Sequence, residues 1–286
     1  MREQRTETSG LRSVSDQNGT PEQTGPGSGK PPSRETDGDP SAKRPQKDPL
    51  PVEPSPDHAT RHVGFSTQKA VTRSTLHVTE IFHSIQGESS WVGRPCVFVR
   101  LTGCPLRCHW CDTEYAFSGG TKMAVAEILD RVRAFGCPLV EVTGGEPLAQ
   151  PGCRELLRRL AEEGFETLLE TSGALTLEDI HPRVRIIMDL KCPDSGECER
   201  NRWENLRLLR PGDEVKFVLA SEADYAWARE VVRSRRLTER GVVLFSPVAG
   251  RLDPAELARW VLRDRLAVTL QVQLHKILFG EETRGV

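Results

Sequence analysis

From residue 76 onward the chain alternates apolar runs of strand length with amphipathic stretches of helix length, and that alternation allows little besides a parallel sheet with helices outside it. Strands are predicted over 95–101, 139–143, 166–170, 184–190, 214–219, 242–245 and 267–272. Helices are predicted over 123–135, 152–163, 223–235 and 254–263, where apolar residues recur at helical spacing. About six βα units are too few for a complete eight-unit barrel, so the expected fold is α/β, an incomplete barrel of (β/α)6 type. Such sheets gather function at the carboxyl ends of their strands. The distinctive residues obey this: a cysteine-rich loop follows the first predicted strand, Thr143-Gly144-Gly145-Glu146-Pro147 ends the second and Glu170-Thr171-Ser172-Gly173 the third. Asp189-Leu190-Lys191 ends the fourth and Phe245-Ser246-Pro247 the sixth.

The amino-terminal part has a different composition. Half of the 20 prolines precede Asp57, and the first sixty residues contain no Cys, Ile, Phe, Trp or Tyr. Such a segment buries too little apolar surface to offset the entropy of ordering it, so residues 1–74 are expected to form a disordered tail and 75–286 the catalytic domain. The tail has no apolar core of the kind a secretory signal needs, and its acidic residues do not suit a transit peptide. No run of eighteen apolar residues occurs, so no membrane span is expected. With a formal charge of -2 and no basic patch interleaved with aromatics, direct nucleic-acid binding is not expected either. Eight cysteines in so long a chain, three of them in one short motif, point to a reducing cytoplasm rather than to export. Cys96, Cys137, Cys153, Cys192 and Cys198 are scattered and read as small buried or incidental thiols rather than ligands.

Cys104, Cys108 and Cys111 lie in GCPLRCHWCDT with gaps of three and two residues. Three thiolates at this spacing suit three corners of a cubane 4Fe-4S cluster, whose fourth iron then needs a ligand from outside the protein. The competing reading is zinc, with His109 completing a tetrahedral set. His109 is the immediate neighbour of Cys108, whereas ligands to one zinc are usually separated by two or more residues, so the spacing favours the cluster. Haem attachment would need His directly after Cys111, where Asp112 stands. Gly144 and Gly145 allow close approach of a ligand to the backbone at the neighbouring strand end, although a Gly-Gly pair before Pro is by itself more often a plain turn.

Together, the cysteine loop and the Gly-Gly-Glu-Pro strand end resemble those of radical S-adenosylmethionine enzymes. The resemblance narrows with Ile81-Phe82-His83-Ser84-Ile85-Gln86-Gly87-Glu88, Val97-Phe98-Val99-Arg100-Leu101-Thr102-Gly103-Cys104, Cys111-Asp112-Thr113, Asp189-Leu190-Lys191, Lys216-Phe217-Val218 and Gln273-Leu274-His275-Lys276. These occur in the order seen in the 7-carboxy-7-deazaguanine synthase family, and the similarity runs from residue 76 to the Arg284-Gly285-Val286 terminus. One departure is Ser89, where that family commonly has Gly after Gln-Gly-Glu.

The resemblance implies conversion of 6-carboxy-5,6,7,8-tetrahydropterin to 7-carboxy-7-deazaguanine with loss of ammonia, a step toward queuosine and other deazapurines. It implies a 4Fe-4S cluster on Cys104, Cys108 and Cys111, S-adenosylmethionine on its open iron, and Mg²⁺ held by Thr113, a residue otherwise read as a cap. Substrate contacts carried over are Ile85, Gln86, Gly87, Arg100 and Thr143. Arg100 is the natural clamp for a carboxylate, because its fork matches two oxygens; the plainer reading is a salt bridge at a strand end. S-adenosylmethionine contacts carried over are Trp110, Cys111, Asp112, Gly145, Asp189, Leu190, Lys191, Ser246, Pro247, Val248 and Ala249. Glu88, Lys216, His275 and Lys276 match the family without an assigned contact. A homodimer and a flavodoxin or ferredoxin electron donor are implied as well. The competing readings are a glycyl-radical activating enzyme, which shares the cluster spacing and acts on a protein, and a non-catalytic metal-binding module.

Overall fold

A computed structural model describes residues 74–280 and 284–285; apart from Ser74, the expected tail lies outside the described residues. Nine strands form one sheet in the order β3-β1-β2-β4-β5-β6-β7-β8-β9. Strand β1 (Thr75–Ile85) pairs antiparallel with β2 (Pro95–Leu101) and with the short edge strand β3 (Thr121–Ala124). From β2 the sheet runs parallel through β4 (Leu139–Gly144), β5 (Glu166–Thr171), β6 (Arg185–Leu190), β7 (Glu214–Leu219), β8 (Val242–Pro247) and β9 (Thr269–Leu270). β3 and β9 stand at the two edges, so the sheet is the open, incomplete barrel expected of too few βα units.

The parallel strands form because they are covered on both faces. β4 reads Leu-Val-Glu-Val-Thr before its terminal glycine, and all five residues are buried. The helices are α1 (Val125–Ala134), α2 (Cys153–Glu162), α3 (Glu222–Ser234), α4 (Pro254–Arg263) and α5 (Leu274–Phe279). α2 shows how they dock: Cys153, Leu156, Leu157, Leu160 and Ala161 form one buried stripe, while Arg158 pairs with Glu155 and Glu162 on the wet face. Ser221 caps α3 by accepting from Asp224 N, and Asp253 with Pro254 starts α4.

The structure corrects several expectations. The helix predicted over 123–135 starts at Val125, because Thr121–Ala124 is drawn into the sheet, with Met123 opposite Leu76. Segment 75–85, for which the sequence predicts no element, pairs along both sides as β1. The strand expected over 267–272 pairs only at Thr269–Leu270. No α-helix joins β5 to β6, and β6 reaches β7 through three short 3-10 turns. Ser89 has φ +64°, the left-handed region that favours glycine, and is held there by Ser89 N donating to Gln271 Oε1 at 2.7 Å.

Candidate functional site

The cysteine loop leaves β2 at the carboxyl edge of the sheet and is fastened by backbone hydrogen bonds. Gly103 N donates to Ala116 O at 2.7 Å, Glu146 N to Gly103 O at 2.8 Å, and Gly145 N to Leu101 O at 3.2 Å. A Cβ at Gly144 would collide with Leu101 O, and one at Gly145 with Gly103 O and the Cβ of Cys104. The glycine pair is therefore required first by contact between the end of β4 and the cysteine loop, and the ligand approach expected from sequence comes second. Glu146, fully buried, accepts from Leu148 N, Thr171 Oγ1, Ser172 N and Ser172 Oγ, which ties the end of β5 to the same junction.

Cys104, Cys108 and Cys111 are free, half-buried and line one cavity. Burial pushes all three thiols up, Cys108 to about 11, while the Lys191 ammonium pulls each of them back down. A cation facing three thiols suits a set that must be held as thiolates. His109 is turned elsewhere: its Nδ1 lies 2.8 Å from Asp194 O, and its backbone N donates to Ser195 O. Among the described residues no three His, Cys, Asp or Glu side chains converge as ligands of a single ion. The donor set thus fits a cluster bridged between spaced thiolates better than zinc with His109 as fourth ligand.

The cavity has a volume of about 800 Å³ and collects residues from nearly every strand end. Lys216, in the middle of β7 and 4% exposed, is its central cation. Its Nζ lies 2.6 Å from Glu88 Oε2, pairs with Glu170, and lies 3.8 Å from Asp189 Oδ2. Burial works against the ammonium, but Glu170, Glu88 and Asp189 outweigh it and hold the Lys216 pKa well above its ordinary value. Burial likewise works to raise the Glu170 carboxyl, and Lys216 outweighs it and holds the group ionised; Thr143 Oγ1 donates to Glu170 at 3.1 Å. Glu141 differs: burial, reinforced by Glu170, pushes its carboxyl well above the usual range, so it is kept neutral. Gln86 donates to Glu141 through Nε2 and accepts from Glu88 N at 3.1 Å.

Arg100 sits on β2 with its Nε 2.7 Å from Glu80 Oε1, which also accepts from Tyr115 OH at 2.8 Å. The plainer sequence reading, a strand-end salt bridge, is thus realised. It uses only Nε, and the two terminal guanidinium nitrogens have no hydrogen-bond partner among the described residues. Arg100 also lies over Phe82, which stacks on its cross-strand partner Phe98 at 5.0 Å. On Tyr115 a second guanidinium, that of Arg284, stacks 4.0 Å from the ring centroid. Asp112 Oδ2 pairs with Lys276 at 2.9 Å, and Oδ1 accepts from Thr113 Oγ1 at 2.8 Å, which leaves the lone pairs of that hydroxyl free for a cation.

Of the residues predicted from sequence, Ile85, Gln86, Gly87, Arg100, Cys104, Cys108, Trp110, Cys111, Asp112, Thr113, Thr143, Gly145, Asp189, Lys191, Val248 and Ala249 line the cavity. So do Glu88, Lys216, His275 and Lys276, which sequence left unassigned. Leu190, Ser246 and Pro247 do not reach its wall: Leu190 belongs to the hydrophobic core, and Ser246 and Pro247 are buried in β8. Gln86 is 4% exposed and its side chain is engaged at both ends, so it serves chiefly to hold Glu141 and Glu88. Sequence reasoning missed Glu80, Tyr115, Glu141, Arg251 and Arg284 as cavity or supporting residues. A signal existed for Glu141, a carboxylate inside an otherwise apolar buried strand; none existed for Tyr115 or Arg284.

Residues 98–194 match the Radical SAM superfamily. The chain is 49% identical over 218 residues to the 7-carboxy-7-deazaguanine synthase of Chlorobaculum tepidum, an alignment covering 75% of this chain and 99% of that one. It is 46% identical over 228 residues to the enzyme of the same name from Koribacter versatilis, covering 74% and 100%. The crystal structure of QueE from Escherichia coli superposes with a TM-score of 0.59 at 21% identity, over 70% of this chain and 95% of that one, which supports the fold.

Proposed function

We propose, for a chain that belongs to the 7-carboxy-7-deazaguanine synthase family of radical S-adenosylmethionine enzymes, a division of the cavity into a cluster side and a substrate side. The enzyme is a lyase of the queuosine pathway that converts 6-carboxy-5,6,7,8-tetrahydropterin to 7-carboxy-7-deazaguanine with loss of ammonia. Its 4Fe-4S cluster and S-adenosylmethionine, when bound, supply the radical chemistry that removes a substrate hydrogen. Cys104, Cys108 and Cys111 would hold the cluster, with Lys191 facing them. Trp110, Cys111, Asp112, Gly145, Asp189, Lys191, Val248 and Ala249 would hold S-adenosylmethionine.

The observation that carries the substrate side is Arg100. Glu80 and Tyr115 fix its Nε edge, which turns the remaining fork into a preorganised receptor for a planar carboxylate. Ile85, Gly87 and Thr143 would contact the pterin, with Gln86 acting through the backbone and through Glu88. Lys216 pairs with Glu88 and keeps Glu170 ionised beside the ring, where both carboxyl groups can accept its N–H groups, while neutral Glu141 avoids a further buried charge. Thr113, oriented by Asp112, would give a Mg²⁺ one ligand, with substrate oxygens and water completing the set. We carry a homodimer and a flavodoxin or ferredoxin donor as part of this reading. No helix among the described residues is long and apolar enough to cross a membrane. Anaerobic turnover of the carboxylated tetrahydropterin with mass analysis of the product tests the reading; absence of the deazaguanine product in a cluster-loaded sample would overturn it.

A further inference from the structure

We propose that Arg107 is a positioning residue that raises the reduction potential of the cluster by fixing a positive charge on the backbone of the cysteine loop. The inference rests on the reading that Cys104, Cys108 and Cys111 hold a cluster. Arg107 is exposed, lies one residue before Cys108, and would ordinarily extend into water. Instead its side chain folds back on its own loop. Nη1 donates to Cys104 O at 2.8 Å and to Leu106 O at 2.6 Å, and the guanidinium lies 4.1 Å from the centroid of the Phe117 ring. The backbone is held as well: Arg107 N donates to Glu197 Oε1 at 2.5 Å, on the connection between β6 and β7. The only carboxylate bonded to this residue is thus engaged by its amide, and no ion pair among the described residues involves its guanidinium.

A planar, weakly hydrated guanidinium stacked on an aromatic face is the cation best suited to such a place. Reduction adds one negative charge to a cluster already bound by three thiolates. A cation anchored on the carbonyl of the first ligand therefore stabilises the reduced form more than the oxidised one, as outer hydrogen bonds and charges do at metal centres. At roughly 10 Å and an effective dielectric near 20, a unit charge shifts such an equilibrium by somewhat over tenfold. Solvent screening at an exposed side chain reduces this to about three- to tenfold, or about 30 to 59 mV for one electron.

The test compares the parent chain with R107Q, R107M and R107K after anaerobic reconstitution, by iron content and by redox titration followed by electron paramagnetic resonance. R107Q and R107M, which lack the charge, are expected to load iron like the parent and to show a midpoint lower by about 30 to 59 mV. R107K keeps the charge and is expected to lose less than half of that shift. Equal potentials in parent and R107Q, or a fall in R107K as large as in R107Q, would overturn the charge role. Failure of both neutral variants to hold the cluster would overturn it too, and assign Arg107 to loop folding alone. Failure of the parent to bind a cluster would instead overturn the functional reading.

Discussion

Lys216 on β7 and Glu88, three residues after β1, are 128 residues apart in sequence, and Nζ lies 2.6 Å from Oε2. Both residues line the cavity, and the pair joins the antiparallel corner of the sheet to its parallel strands. With Glu170 and Asp189 also facing the ammonium, Lys216 is the cation that these three carboxyl groups meet together.

Lys216→Met should therefore be costly. Removing one partner of a buried charge network leaves its carboxylates uncompensated, at a cost of about 3 to 5 kcal/mol. Urea unfolding of the cluster-free protein is expected to show a loss of that order, and turnover is expected to vanish. A variant within 1 kcal/mol of the parent, on the roughly 1 ± 0.5 kcal/mol scale of a single hydrogen bond, would remove Lys216 from this role.

Glu141→Gln tests the neutral carboxyl. A pKa raised in the fold means that the folded protein keeps a proton the unfolded chain releases. Stability from this group is thus full below the ordinary carboxylate range and declines as pH rises toward the folded pKa. The variant cannot ionise, so the parent should lose stability relative to it as pH rises above the ordinary carboxylate range, by at most about 1.4 kcal/mol per pH unit. Parallel stability curves for the two proteins would show that Glu141 is ionised in the fold.

Arg100→Lys retains the charge but cannot bind Glu80 through one nitrogen while offering two to a carboxylate. Catalytic efficiency should fall about ten- to one-hundredfold, on the order of 1 to 3 kcal/mol. Reductive cleavage of S-adenosylmethionine without the pterin should persist, because it needs the cluster and not the clamp. Full efficiency in the variant would dismiss Arg100 as the carboxylate receptor.

Thr113→Val removes the hydroxyl while keeping the shape. Stimulation of turnover by Mg²⁺ should be lost and iron content unchanged. Undiminished stimulation would place the cation elsewhere.

Deletion of residues 1–70 should leave iron content and turnover within about twofold of the full chain, since no cavity or core residue described above lies there. A large loss of either would give this segment a part in the catalytic unit.

Much of the protein was legible in its sequence, because the relevant signals are local. The gaps between Cys104, Cys108 and Cys111 limit how their thiolates can meet a metal centre, and the 2.0 and 3.6 residue periods mark strands and helices wherever one face is buried. These sufficed for the open α/β sheet and the cysteine loop, while most of the cavity wall was carried over from the family resemblance. Tertiary structure decided what depends on contacts between distant segments. It drew Thr121–Ala124 into a strand against a helical pattern, since pairing with β1 satisfies backbone groups that a helix start would leave open. It engaged both ends of the Gln86 side chain, with Glu141 and with Glu88 N, and placed Leu190 in the core. It also set the charge states: Glu141, buried, and Glu170, half-buried, are glutamates on neighbouring strands, and their sequences alone do not say that one is neutral and the other ionised. That difference follows from pairing with Lys216, because burial raises both carboxyls, and the ammonium that hydrogen-bonds Glu170 outweighs it there but not at Glu141.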